Sequence, residues 1–191
     1  VNTEAFPPYP GEHSGTALVL GNGFTLHDDY ARARELRPDA EVIAVNEACR
    51  FYRADHVYSY HYGPSHLDMW FPRQVEKFGP GAVCHSSPWH AKDYVIPDEW
   101  GVVEYWWKRA GANGSSGWMA TRLARLMGFD EIILCGVPMA SGTYSDGNMA
   151  KDFMKAKVVT HYRRGIAEQT DFHAGVYSMS GWTMELFGEP R

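Results

Sequence analysis

No run of about 18 apolar residues occurs in this chain, so its sequence contains no candidate membrane-spanning helix. Cationic excess is also missing: 18 Lys and Arg stand against 23 Asp and Glu, a formal net charge of −5. General binding to nucleic acid or to an anionic membrane needs a basic surface and is not expected. Cysteine is scarce. Cys49, Cys84 and Cys135 are odd in number and widely spaced, which gives neither a disulfide framework nor a zinc signature. Cys135 lies inside an apolar run and reads as a small buried residue; a reducing, cytoplasmic setting is expected. Residues 1–10 lack the basic and apolar segments of a signal peptide. There is no Gly-x-x-x-x-Gly-Lys-Ser/Thr, which argues against a P-loop ATPase. No histidine pair has the i, i+4 helical spacing with a glutamate, so no metal is assigned and no cofactor is required.

What is present is an alternation of short apolar runs and amphipathic stretches over 191 residues, enough for one core. Residues 1–15, rich in Pro and Gly, read as an irregular arm, and 16–191 as a single domain. Strands are expected at 17–20, 41–45, 55–62, 81–85, 102–107, 131–137 and 176–180. Helices are expected at 26–36, 47–52, 66–78, 117–127, 151–169 and 181–188. Pro72 should lie near a helix end or kink its helix. Met119, Leu123, Leu126 and Met127 recur at helical spacing, and Gly128 is a stop. Such alternation predicts a three-layer, Rossmann-like α/β fold with a mostly parallel sheet. Aromatic residues make up 14% of the chain. They fit a large aromatic core or stacking walls for a base or sugar.

Candidate site residues fall where strands hand over to helices. Gly21-Asn22-Gly23 follows the first apolar run; glycines there allow a tight turn and a close approach of ligand to backbone. The dinucleotide fingerprint is incomplete, because position 26 is Leu and the second strand ends on Asn46 rather than an acid. Asn46 offers a donor and an acceptor for a base edge or sugar hydroxyl, or caps the next helix. In Asn113-Gly-Ser-Ser-Gly117 the hydroxyls of Ser115 and Ser116 can cap a helix whose free amides, with Gly117, can hold an anion. Among nine histidines, His61 stands at an expected strand end. His161, beside Tyr162, Arg163 and Arg164, belongs to a set that can hold a phosphate and move a proton. A solvated helix face is the plainer reading of that set.

Taken together, strand–Gly-Asn-Gly–helix, strand–Ala-Val-Asn, and Ser-Gly–helix–Leu-Met-Gly-Phe-Asp-Glu-Ile-Ile-Leu-Cys-Gly-Val resemble the small bacterial lipooligosaccharide sialyltransferases and the related hydroxymethylpterin diphosphokinase-like family. The resemblance spans residues 16–140, and its second block is the more specific. It implies a nucleotide-activated sugar at the carboxyl edge of the sheet, held by Gly21, Asn22, Gly23, Asn46, Ser115, Ser116 and Gly117. It also implies two tyrosines on the leaving phosphate and a histidine base, with Tyr144, Tyr162 and His161 as candidates and His61 next. Phe24-Thr25 departs from the family's Pro-Ser, and Pro138 stands where an acid often follows the late strand. The compact size is also that of a phage-encoded relative.

Three functions follow from the sequence. The first is a glycosyltransferase-like enzyme with a nucleotide-sugar donor as substrate. The second is a non-catalytic module binding a nucleotide or nucleotide-derived signal. The third, a pterin-type diphosphokinase, would need Mg²⁺ and clustered carboxylates, with Asp28 and Asp29 the nearest acids.

Overall fold

A computed structural model of the chain describes residues 13–60, 67–86, 103–104, 115–145 and 156–191. The apolar runs become strands buried on both faces, as parallel sheets require. They are β1 (Thr16–Leu20), β2 (Glu41–Val45), β3 (His56–Ser59), β4 (Val83–Ser86), β5 (Val103–Glu104), β6 (Glu131–Cys135) and β7 (Val176–Ser178). All pair in parallel, in the order β5-β4-β3-β2-β1-β6-β7. β1 lies inside the sheet, and its neighbours β2 and β6 come from opposite halves of the chain.

Side-chain alternation along each strand feeds two cores. Leu18, Leu20, Val42 and Ala44 face one side, where Leu26 and Ala33 of α1 (Leu26–Leu36) and Phe71 of α2 (Leu67–Phe78) cover them. Val19, Ile43 and Leu134 face the other side. They meet Trp118, Leu123 and Met127 of α3 (Ser116–Met127), Ile166 of α4 (Ala156–Glu168) and Phe187 of α5 (Gly181–Phe187). This is the three-layer α/β fold expected from the sequence. No helix of the described residues is long and apolar enough to cross a membrane.

The local chemistry explains the element bounds. The Ser115 hydroxyl accepts from the Trp118 amide at 3.3 Å and caps α3, while Gly128 ends it at φ 103° in the left-handed region. Leu126 is a correction: it points outward and is 42% exposed, whereas Met119, Leu123 and Met127 lie on the face turned to the sheet. Pro72 lies within α2, which continues through it with one fewer backbone donor. β6 ends at Cys135, two residues sooner than expected, because Gly136 turns the chain at φ 67°. Residues 47–52 form only a 3-10 turn, Asn46–Arg50. The expected third strand is observed over His56–Ser59; His61 and residues 151–155 lie outside the described residues. The arm is fastened at its end: the His13 amide donates to the Met127 carbonyl at 3.0 Å, and the Gly15 amide to Asp130 at 2.9 Å. Trp118, Tyr58 and Phe129 are fully buried, so these aromatics build the core.

Candidate functional site

Crossovers from β1 leave on the face of α1 toward β2, whereas α3 and α4 reach β6 and β7 across the other face. The direction therefore reverses between β1 and β6. Open α/β sheets bind ligands outside the carboxyl ends of the strands at such a point. Gly21, Asn22 and Gly23 follow β1, Asn46 follows β2, and Ser115–Gly117 open α3. All seven stand at this edge, and α3 is drawn to it by Gly117, where an added methyl would lie 3.1 Å from Val137 in the loop after β6.

The glycines do something other than the sequence suggests. Neither Gly21 nor Gly23 has positive φ. Their smallness instead lets the loop after β1 lie on the loop after β6. A methyl on either would meet the Gly136 carbonyl oxygen at 2.7 Å. The Gly21 amide donates to the Cys135 carbonyl at 2.8 Å and the Gly23 amide to the Gly136 carbonyl at 2.9 Å. Gly136 is the residue that needs φ > 0 here, and a side chain on it would run into the Gly21 carbonyl.

Asn22 ties three segments together. Its Nδ2 donates to Glu47 Oε2 at 2.8 Å, its Oδ1 accepts from the Ser145 hydroxyl, and its carbonyl accepts from the Ser145 amide at 3.2 Å. Glu47 in turn pairs with Arg50 at 2.9 Å. An acid thus does serve the end of β2, one residue beyond the position inspected in the sequence. Tyr144 forms an antiparallel bridge with Gly23, which puts it at the same edge.

Asn46 is not a helix cap. The capping position of the 3-10 turn belongs to Val45. Asn46 adopts φ 51°, and its Oδ1 accepts from the Ser59 hydroxyl at 2.9 Å. The Ser59 carbonyl accepts from the buried Ser86 hydroxyl at 2.6 Å, so the ends of β2, β3 and β4 are laced together. Asn46 Nδ2 has no partner among the described residues and remains a half-buried donor at the edge. The amides of Ser116 and Gly117 likewise have no acceptor among them, as expected of a first helical turn.

Of the two acids beside the glycine loop, Asp29 has the more connected side chain here. Asp29 is 2% exposed. Its Oδ2 accepts from the Thr25 hydroxyl at 2.8 Å, the Gly136 amide at 2.9 Å and the Ser180 hydroxyl at 2.6 Å. It joins the start of α1, the loop after β6 and the start of α5. Two further bonds hold that loop: Thr183 Oγ1 donates to the Val137 carbonyl at 2.7 Å, and the Trp182 amide to the Pro138 carbonyl at 3.0 Å. No local signal revealed this, because Gly136 and Ser180 are more than a hundred residues away.

The remaining catalytic candidates diverge. His161 is exposed on α4 and takes a 3.3 Å hydrogen bond from Arg164. No described contact joins it to Gly21–Gly23, Asn46 or Ser115–Gly117. Tyr162 packs half-buried against the core, and burial raises its phenol pKa. It is Arg163, the next residue, that reaches the edge. Its Nε donates to the Met139 carbonyl at 2.8 Å, and its guanidinium lies 5.3 Å from the Trp182 ring centre. A metal-type donor set exists among the described residues, but at the opposite edge: His13, Glu41 and His56. The helical-spacing rule missed it because these side chains come from three separate segments.

Strand order, parallel pairing and two helical layers define a Rossmann-like α/β domain. Among solved structures it is similar to the MAf glycosyltransferase from Magnetospirillum magneticum AMB-1, at 15% sequence identity and a TM-score of 0.62, covering 93% of this chain and 33% of that one. The chain therefore spans about a third of that transferase's length, and at this identity the likeness establishes the fold. No protein-family profile and no curated protein matches the chain.

Proposed function

We propose that this chain is a glycosyltransferase-like domain that binds a nucleotide-activated sugar at the carboxyl edge between β1 and β6. One observation carries the reading. The only non-glycine residues with positive φ among those described, Asn46 at 51° and Met139 at 46°, both stand at this edge. Left-handed backbone is tolerated by Asn but costly for Met, and such positions cluster where ligands are handled. The fold of a glycosyltransferase on similar topology supports it.

In this reading Asn46 Nδ2 donates to the base or sugar. The Ser116 and Gly117 amides take a phosphate at the start of α3, and Tyr144 and Tyr162 serve the leaving phosphate. His161 takes the acceptor proton, with His61 as the next candidate. A sialyl-type donor is the finer form of the proposal. The test is calorimetric titration with CMP, UDP and GDP and their sugars, followed by assay of nucleotide release. Tight binding of one nucleotide sugar with turnover supports the enzyme. His161→Ala should then slow turnover about 10²–10⁴-fold with affinity nearly unchanged.

A second reading, a non-catalytic nucleotide-binding module, is favoured by the exposure of His161, which makes no described contact with the edge residues. Tight binding with no turnover would select it. The diphosphokinase reading is weakened because the Asp29 carboxylate is buried and already accepts three hydrogen bonds.

A further inference from the structure

At the amino edge of the sheet, His13 from the arm, Glu41 at the start of β2 and His56 at the start of β3 converge. One donor atom from each lies within 4.8 Å of the others. His13 Nδ1 is 3.2 Å from Glu41 Oε2, and His56 Nε2 is 3.1 Å from the same oxygen. Zinc–ligand bonds of about 2.0–2.2 Å put neighbouring ligands of a tetrahedral site roughly 3.3–3.5 Å apart. The two separations from Glu41 Oε2 are within a few tenths of an ångström of such edges.

The cluster is built rather than incidental. Glu41 and His56 are fixed by strand pairing, and His13 by its backbone bond to Met127. The His13 ring also lies against Phe129, with ring centres 4.8 Å apart. Behind the cluster, His56 Nδ1 is 3.1 Å from Nε2 of the buried His85. A ligating imidazole commonly donates its second N–H to such an outer partner, which leaves the other nitrogen's lone pair facing the metal. On the solvent side Glu41 is 39% exposed and His13 17%, so an ion and a water ligand have access.

We infer that His13, Glu41 and His56 form a binding site for a divalent transition-metal ion of the zinc type, with a fourth position open to water and His85 orienting His56. Two imidazole nitrogens and one carboxylate favour zinc-like ions over Mg²⁺ or Ca²⁺, which take oxygen ligands. The ion ties the arm to β2 and β3 on the edge remote from the proposed nucleotide site, and does not depend on that proposal.

The experiment uses the full chain with any purification tag removed, stripped with chelator and incubated with ZnCl₂ or MgCl₂. Metal retained after gel filtration is counted, melting is followed, and cobalt is substituted to read the visible bands of a tetrahedral site. One zinc per chain is expected, with a rise in melting temperature of about 5–10 °C at a hundredfold excess over Kd, and no rise with magnesium. Glu41→Gln and His13→Asn should each lower zinc affinity at least tenfold while circular dichroism stays native. Absence of stoichiometric zinc on the wild-type chain would overturn the inference, leaving a hydrogen-bonded His–Glu–His cluster. Undiminished zinc binding by both variants would overturn it too, by placing the ion elsewhere. The wild-type measurement decides even if a variant fails to fold.

Discussion

The two edges of this sheet are held by different chemistry. At the carboxyl edge the loops after β1 and β6 lie backbone against backbone, with Gly21, Gly23 and Gly136 supplying the clearance and Asp29 clasping them from beneath. Little formal charge is left to face outward from these loops; what they present are amides and hydroxyls. At the amino edge, side chains carry the load. Arg37 donates from Nε and Nη2 to the two carboxylate oxygens of Glu131 at 2.6 and 2.9 Å, Thr16 adds a 2.7 Å bond, and His13, Glu41 and His56 meet nearby. Bidentate pairing with Arg37 holds the Glu131 carboxyl below its usual range. The contrast teaches that the edge proposed to take a ligand is made rigid through buried backbone bonds, whereas the other edge is stapled by ionic groups that tolerate water.

If this contrast is correct, the largest losses of stability come from the carboxyl edge. Gly136→Ala combines a left-handed φ with a collision against the Gly21 carbonyl. It should cost about 3 kcal/mol or prevent folding, read by urea denaturation. A loss under about 1 kcal/mol would mean the two loops are not in contact. Asp29→Ala follows. It strips the buried Gly136 amide of its acceptor and two hydroxyls of theirs, for about 2–3 kcal/mol. A neutral result would remove the clasp from the account.

Asn46→Asp separates ligand contact from folding. The new carboxylate still accepts from Ser59 and tolerates φ 51°, so stability should change by about 0.5 kcal/mol or less. Loss of the Nδ2 donor should lower nucleotide-sugar affinity about tenfold, measured by calorimetry. Unchanged affinity with unchanged melting would show that this amide meets no ligand.

A modest effect is expected at the amino edge. The Glu131 carboxyl is depressed mainly by its hydrogen bond from Arg37. Its contribution is therefore complete above the ordinary carboxylate pKa of about 4.3 and is lost as pH falls through the lower folded value. Glu131→Gln should cost about 1 kcal/mol or less at pH 7, because both partners are partly exposed. It should also flatten the acid limb of stability below the ordinary carboxylate pKa of about 4.3. An acid limb identical to wild type would assign that limb to other carboxylates.

The primary structure by itself determined the layers. Ala17–Leu20, Val42–Val45 and Ile132–Cys135 are continuous apolar runs, which is what burial on both faces of a parallel sheet demands. α3 could be placed from Ser115 and Gly128, because caps and stops act over a few residues. The carboxyl-edge positions of Gly21–Gly23, Asn46 and Ser115–Gly117 were legible for the same reason: each lies one step beyond a run or before a helix. Tertiary structure alone decided what those residues touch. The packing of Gly21 on Gly136, the bonds from Gly136 and Ser180 to Asp29 and the meeting of His13 with Glu41 and His56 join segments 28 to 151 residues apart. Such contacts leave no periodicity in the chain. They exist only because strand order carries β6 next to β1 and sets the arm against the first residues of β2 and β3.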